Sequence, residues 1–144
     1  MTVRDRQVHI EGLEALRKMS DQVAPKVARR LARATVHSIA GEVRNAMRQR
    51  APKDDGTLRK AIKSKRRRGR PDEAVSDVRI EHGRTVKNNA WYWHFIEFGT
   101  TKHTAQPFIQ PTVDEYAPRI PTIYREEFGR RLEKELAKAH RQQK

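Results

Sequence analysis

Between residues 25 and 50 apolar positions recur at the period of an α-helix. Ala28, Leu31, Ala32, Thr35, Val36, Ile39, Val43, Ala46 and Met47 share one face, and Arg30, Arg33, His37, Arg44 and Arg48 share the opposite one. This predicts a long amphipathic helix ending near Arg50, with small side chains that permit close approach of a sheet or a second helix. Pro25 suits its first turn, and Ser20-Asp21 can cap it. A second such pattern runs from Thr122 to about His140, with Tyr124, Phe128, Leu132, Leu136 and Ala139 on its apolar face. Pro118 and Pro121 break the chain ahead of it, because an interior proline removes a hydrogen bond and clashes with the preceding turn. Residues 140–144 are expected to fray.

The remaining elements are shorter. Val3, Val8 and Ile10 predict an extended lead-in over residues 1–12, followed by a short helical piece over Leu13–Met19. Ala51-Pro52 stops the long helix, and the adjacent acids Asp54 and Asp55 read as a turn that caps Thr57–Ile62. Ile62–Arg68, a turn at Gly69–Asp72, and Val75–Glu81 predict a β-hairpin. The apolar phase slips between Val75 and Val78, which predicts a bulge or a late strand start. Thr85–Lys87 is a candidate short strand. In 91–98, Trp91, Phe95 and Phe98 share a helical face with Tyr92 and Ile96 beside it, yet Trp91, Trp93 and Phe95 also alternate. Helix and strand both stay open there, with Gly99 as the cap if the segment is helical. Residues 1–144 thus predict a single α+β domain: a long N-terminal amphipathic helix and a C-terminal helix packed on a small antiparallel sheet. The sheet carries an extended basic hairpin with a mobile tip at about 63–74.

Composition sharpens this picture. Apolar residues make up 35% of the chain and charged residues another 35%, a lean supply for a monomeric core. Both tryptophans and three of the four phenylalanines fall within Ala90–Pro111, so the core is expected to condense there, its aromatics anchoring helices on the sheet. The shortfall elsewhere favours burial against other subunits. No apolar run reaches the length of a membrane span, and MTVRDRQVHIEGL has no apolar leader, so neither a membrane helix nor a secretory signal is expected. With no cysteine, disulfides, thiolate catalysis and Cys-based zinc sites are excluded.

A formal charge of +14 implies attraction to polyanions. Its two concentrations are Arg30, Arg33, Arg44 and Arg48 on the long helix, and Lys65, Arg66, Arg67, Arg68 and Arg70 on the hairpin. Each reads either as a solvated face or as a contact with DNA or an acidic partner. No helix-turn-helix, zinc-finger or RNA-binding signature accompanies them. Catalytic constellations are also missing. His94 and Glu97 form only a fragment of a zinc helix, Gly99-Thr100-Thr101-Lys102 lacks the spacing of a phosphate loop, and no serine sits in a nucleophile elbow. The chain is therefore expected not to be an enzyme, with no metal or cofactor. A small basic RNA-cleaving toxin would need a base–acid pair that the sequence does not assemble.

Two motifs at short spacing, WYWHFIEFGT at 91–100 and AQPFIQP at 105–111, resemble the tail-component family of tailed bacteriophages typified by gene product ten of a lambdoid coliphage. That family's pattern is an aromatic segment ending in an acid, an aromatic residue, Gly and Thr, then a polar loop, then a Pro-Phe-apolar run. The likeness extends upstream to Ala51-Pro52, the following turn and Leu58, and to the opening IEGLEALRKM. Gly56-Thr57 inverts the order usual before the leucine, and Pro118 and Pro121 interrupt a region that is usually a plain helix. The resemblance implies a structural virion protein of the head–tail junction. It would be made in the host cytoplasm and assembled as a homo-oligomeric ring between connector or stopper proteins and tail-terminator or tail-tube proteins, with non-specific contact to packaged DNA. The alternative is a basic nucleic-acid-binding accessory protein. Subunit or partner contacts are expected at Glu97, Phe98, Gly99, Thr100, Thr101, Lys102, Pro107 and Phe108, with charge reversal at Glu97 acting on assembly before folding.

Overall fold

The computed structural model describes residues 14–144, so the lead-in expected over 1–12 and the helix start at Leu13 lie outside the described residues. The chain runs α1 (Glu14–Ser20), α2 (Pro25–Arg50), α3 (Thr57–Ala61), β1 (Ile62–Arg66), β2 (Ser76–Ile80), α4 (Trp93–Phe98), α5 (Ile109–Tyr116) and α6 (Ile120–Gln142). The α+β architecture is the expected one, with β1 and β2 forming a two-stranded antiparallel sheet in which Ile62 faces Ile80 and Arg66 faces Ser76.

The long helix begins at Pro25, at the first helical position, as its fixed φ favours. Ser20-Asp21 does not cap it. Those residues end α1, where the Asp21 N–H donates to the Arg17 carbonyl, and Ala24 enters α2 in the extended conformation that a following proline imposes. Asp55 accepts the Thr57 N–H at 2.8 Å and starts α3, as the turn reading of the paired acids requires. The phase slip in the hairpin resolves as a late strand start: β2 begins at Ser76, and Val75 is exposed. Beyond the strands, the Arg67 N–H still donates to the Val75 carbonyl, and the turn closes from Glu73 N–H to the Arg70 carbonyl. Thr85–Lys87 is not a strand. The loop it lies in is closed on itself by the Ala90 N–H to the Glu81 carbonyl and by the Gly83 N–H to the Asn89 side chain.

Two apolar centres lie along α2. Met47, Ala51, Leu58, Ala61, Ile62, Ala90 and Phe108 form one, joined by Val78, Ile80, Tyr92, Trp93 and Ile96. Leu16, Leu31, Phe128 and Leu132 form the other, joined by Val23, Val27 and Tyr124, which stacks on Phe128 at 5.4 Å. The helix α6 lies along α2 and closes on α1, while the sheet and α5 also pack on α2. The C-terminal helix thus takes its main support from the long helix, which buries Leu31, Thr35, Ile39, Ala40 and Met47. Among the described residues, no helix is long and apolar enough to cross a membrane.

Candidate assembly interface

The segment from Ala90 to Pro111 is a helix, a polar loop and a second helix start, held together by one carboxylate. Glu97 is buried, at 6% exposure. Its Oε2 accepts the N–H groups of Phe108 at 2.7 Å and Ile109 at 2.9 Å, and its Oε1 accepts that of Gln110 at 2.9 Å. These are the open donors at the N-terminus of α5, whose own entry residue, Phe108, has no side-chain acceptor. Pro111 follows with no N–H to satisfy, and the positive end of the helix dipole favours the acid. The Gln106 N–H donates to the Ile96 carbonyl at 2.8 Å, and Phe108 is completely buried.

Gly99 ends α4 at φ +75°, with its N–H donating to the Phe95 carbonyl. A Cβ there would lie 2.8 Å from the Ala105 backbone nitrogen, so both the turn and the close approach of the loop require glycine. Thr100 organises the loop: its N–H donates to the His103 carbonyl, and its hydroxyl accepts the N–H groups of Lys102 and His103.

This frame holds an aromatic surface outward. Tyr92, Trp93 and Ile96 turn toward the core, whereas Trp91 is 59% exposed, Phe95 43% and Phe98 75%. Trp91 meets Phe95 edge-on at 6.0 Å and Tyr92 edge-on at 5.9 Å, and His94 tilts over Phe95 at 4.2 Å. The helical alternative for 91–98 is the observed one, and the shared face of Trp91, Phe95 and Phe98 is the solvent face. The anchoring expected of the whole segment falls to its other side. Burial and the nearby carboxylates Asp55 and Asp54 hold the Tyr92 phenol above its ordinary pKa.

The residues expected at a contact therefore divide. Phe98, Thr100, Thr101, Lys102 and Pro107 are exposed, whereas Glu97 and Phe108 belong to the interior and Gly99 serves the turn. Charge reversal at Glu97 would strip α5 of its acceptor, so its first effect falls on folding. His94 and Glu97 form no pair, since that carboxylate is committed to α5. An apolar groove of about 610 Å³ opens elsewhere, between α2, β2 and the start of α6, lined by Val36, Ile39, Val43, Val78, Ile120 and Tyr124. The sequence reading did not separate these positions from the core.

The basic stripe divides as well. Arg44 donates to the Ser64 hydroxyl at 3.0 Å, and Arg48 donates twice to the Ile62 carbonyl, at 3.0 and 2.6 Å, so both bind the hairpin to α2. Burial, with Arg44 close by, lowers the Arg48 pKa. Arg30 reaches Glu135 at 3.2 Å, and Arg33 donates to the Pro71 carbonyl at 3.2 Å. On the hairpin, Lys65 pairs with Glu81, Arg67 with Asp77 and Arg70 with Glu73, while Arg66 and Arg68 form no ion pair among the described residues.

A family model described as "Bacteriophage HK97-gp10, putative tail-component" matches residues 13–99, more than half of the chain. The match spans α1 through Gly99 and includes the aromatic helix. No curated protein and no solved structure matches the chain.

Proposed function

The chain belongs to the HK97-gp10 family of bacteriophage tail components, and on that premise we propose that it completes the head–tail junction by self-assembly. Copies join into a ring between the head connector and the tail, and the protein acts through binding, without catalysis. The observation that carries this reading is the exposed aromatic surface of Trp91, Phe95 and Phe98. Trp91 and Phe95 meet edge-on, Phe98 is exposed three residues further along the same helix, and aromatic residues are among the side chains that dominate protein interfaces. The patch sits on a short helix fixed by the Glu97 cap and the Gly99 turn, so little order must be gained on binding.

The groove beside α2 supports a head-to-tail arrangement. One chain carries both an apolar projection and an apolar recess, and a contact between unlike surfaces generates a ring when its rotation closes. Thr100, Thr101 and Lys102 follow the projection in sequence and are exposed, as a polar rim would be.

Sedimentation of the purified chain over a range of concentrations tests this. The wild type is expected to form a closed oligomer, and the Trp91→Ser/Phe98→Ser variant to remain monomeric with an unchanged circular dichroism spectrum. Electron microscopy of particles made without the protein is expected to show heads and tails that fail to join. A wild type that is monomeric at all concentrations, together with normally joined particles in its absence, would overturn the reading.

A further inference from the structure

A second surface lies away from the aromatic patch. Between the first turns of α2 and the hairpin tip is a cleft of about 600 Å³ lined by Lys26, Arg29, Arg30, Arg33 and Arg66, with Val27 and Pro71 beside their aliphatic stems. Glu135 offsets Arg30, at 3.2 Å, but it also lies 3.6 Å from Lys138. Lys26, Arg29, Arg33 and Arg66 have no carboxylate partner among the described residues. Arg33 is held across the cleft by its hydrogen bond to the Pro71 carbonyl, so the two walls are joined.

This arrangement works against the helix that carries it. The first turn of α2 contains no acid, and its one cation, Lys26, faces the positive end of the helix dipole. Lys26 and Arg30, and Arg29 and Arg33, are like charges one turn apart, and each pair disfavours the helix. A polyanion in the cleft relieves both effects. From Lys26 to Arg33 the charges extend roughly 10 Å along the helix axis, enough to follow about three phosphates of one strand.

From this we infer that the cleft binds the phosphate backbone of double-stranded nucleic acid without reading its sequence. The lining separates this ligand from its competitors. A single strand takes aromatic platforms for its bases, and the centre of a protein contact is usually built on aromatic anchors beside any arginine. The cleft has no aromatic side chain. Guanidinium groups, which grip phosphate in a bidentate fork, supply four of the five charges. The inference stands apart from the assembly reading, because it concerns a different surface and a different ligand.

The test uses the full chain and a fluorescently labelled 30-base-pair duplex, with anisotropy measured between 50 and 200 mM salt. About four phosphate contacts predict roughly 100-fold weaker binding over that range. The variant Lys26→Gln/Arg29→Gln/Arg33→Gln/Arg66→Gln is expected to lose most of this salt dependence. Removing the same charge from α6, through Arg125→Gln/Arg130→Gln/Lys134→Gln/Arg141→Gln, is expected to leave it in place. If the fourfold cleft variant melts early, the threefold one retaining Arg33 carries the comparison. Equal losses in the cleft and α6 variants would overturn the inference, as would an unchanged cleft variant. Displacement of the duplex by polyglutamate at equal charge, or tighter binding of a single strand, would also overturn it.

Discussion

Glu97 and Phe98 are neighbours on one short helix, and each occupies the environment that its chemistry would ordinarily assign to the other. The carboxylate is 6% exposed and the aromatic ring 75% exposed. One helical step of about 100° separates their directions, so the same four-residue run that turns Ile96 and Glu97 inward must turn Phe95 and Phe98 outward. The inward charge is stable because three N–H groups replace its water. Nothing in the described chain replaces the partners that Phe98 lacks. A buried polar group with every bond made reports on folding, whereas an exposed ring beside other exposed rings is free to meet a partner.

The strongest way to break the inward side is Glu97→Ala. It removes a charged acceptor from three backbone donors at the core edge, and each unsatisfied donor is costly. The expected loss is at least about 3 kcal/mol of stability, or roughly 10 °C in melting temperature for a chain of this size, measured by urea and thermal unfolding. Glu97→Gln keeps an acceptor and should recover part of it. A loss under about 1 kcal/mol for the alanine variant would show that water replaces the carboxylate without difficulty.

Gly99→Ala tests the frame that holds both sides in place. The added methyl meets the Ala105 backbone at 2.8 Å, in a backbone conformation that alanine rarely adopts. A cost of about 2 kcal/mol is expected, with the loop 100–106 losing amide protection before the rest of the chain in hydrogen exchange.

A weaker effect should come from acid. Burial works against the Glu127 charge, but the hydrogen bond from Arg131 at 2.6 Å, with help from Ser38, outweighs it, and the carboxyl lies below its ordinary range. A folded pKa below the unfolded one contributes stability above the unfolded value, near about 4.3, and that contribution is lost as pH falls through the folded value. Urea midpoints should therefore be level from about pH 7 to 5 and fall below about pH 4. Glu127→Gln should make the fall shallower, and an unchanged acid profile would show that Glu127 titrates alike in both states.

Periodicity located the long helix, the hairpin and the proline break before α6, because each obeys one period over enough residues to be distinctive. It also located Gly99, since a helix end and a tight loop place the same demand on the backbone. It did not separate Trp91 and Phe95 from the anchoring aromatics, nor show that Glu97 points inward, because hydropathy cannot say which face of a short helix meets the core. A signal was present in AQPFIQP, which starts a helix with no Ser, Thr, Asp or Asn at its entry and so needs an acceptor from elsewhere. The basic stripe failed differently. Arg44 and Arg48 share a face with Arg30 and Arg33, but only tertiary contact reveals that the hairpin lies across the C-terminal half of that face.

Phe98→Ser gives the smallest expected change in stability, and the comparison with Glu97 depends on it most directly. Its ring contributes little to either apolar centre, so the chain's unfolding free energy should move by no more than about 0.5 kcal/mol. Helix propensity changes little between Phe and Ser, which leaves no local term to mask the result. Equilibrium urea unfolding at low protein concentration isolates the single chain, because any oligomer present would add its own stabilisation to the wild type. Repeating the measurement at high concentration should then separate the two proteins, with only the wild type gaining stability. A loss of 2 kcal/mol or more at low concentration would return Phe98 to the core, and with it the claim that the outer face of α4 exists for another chain.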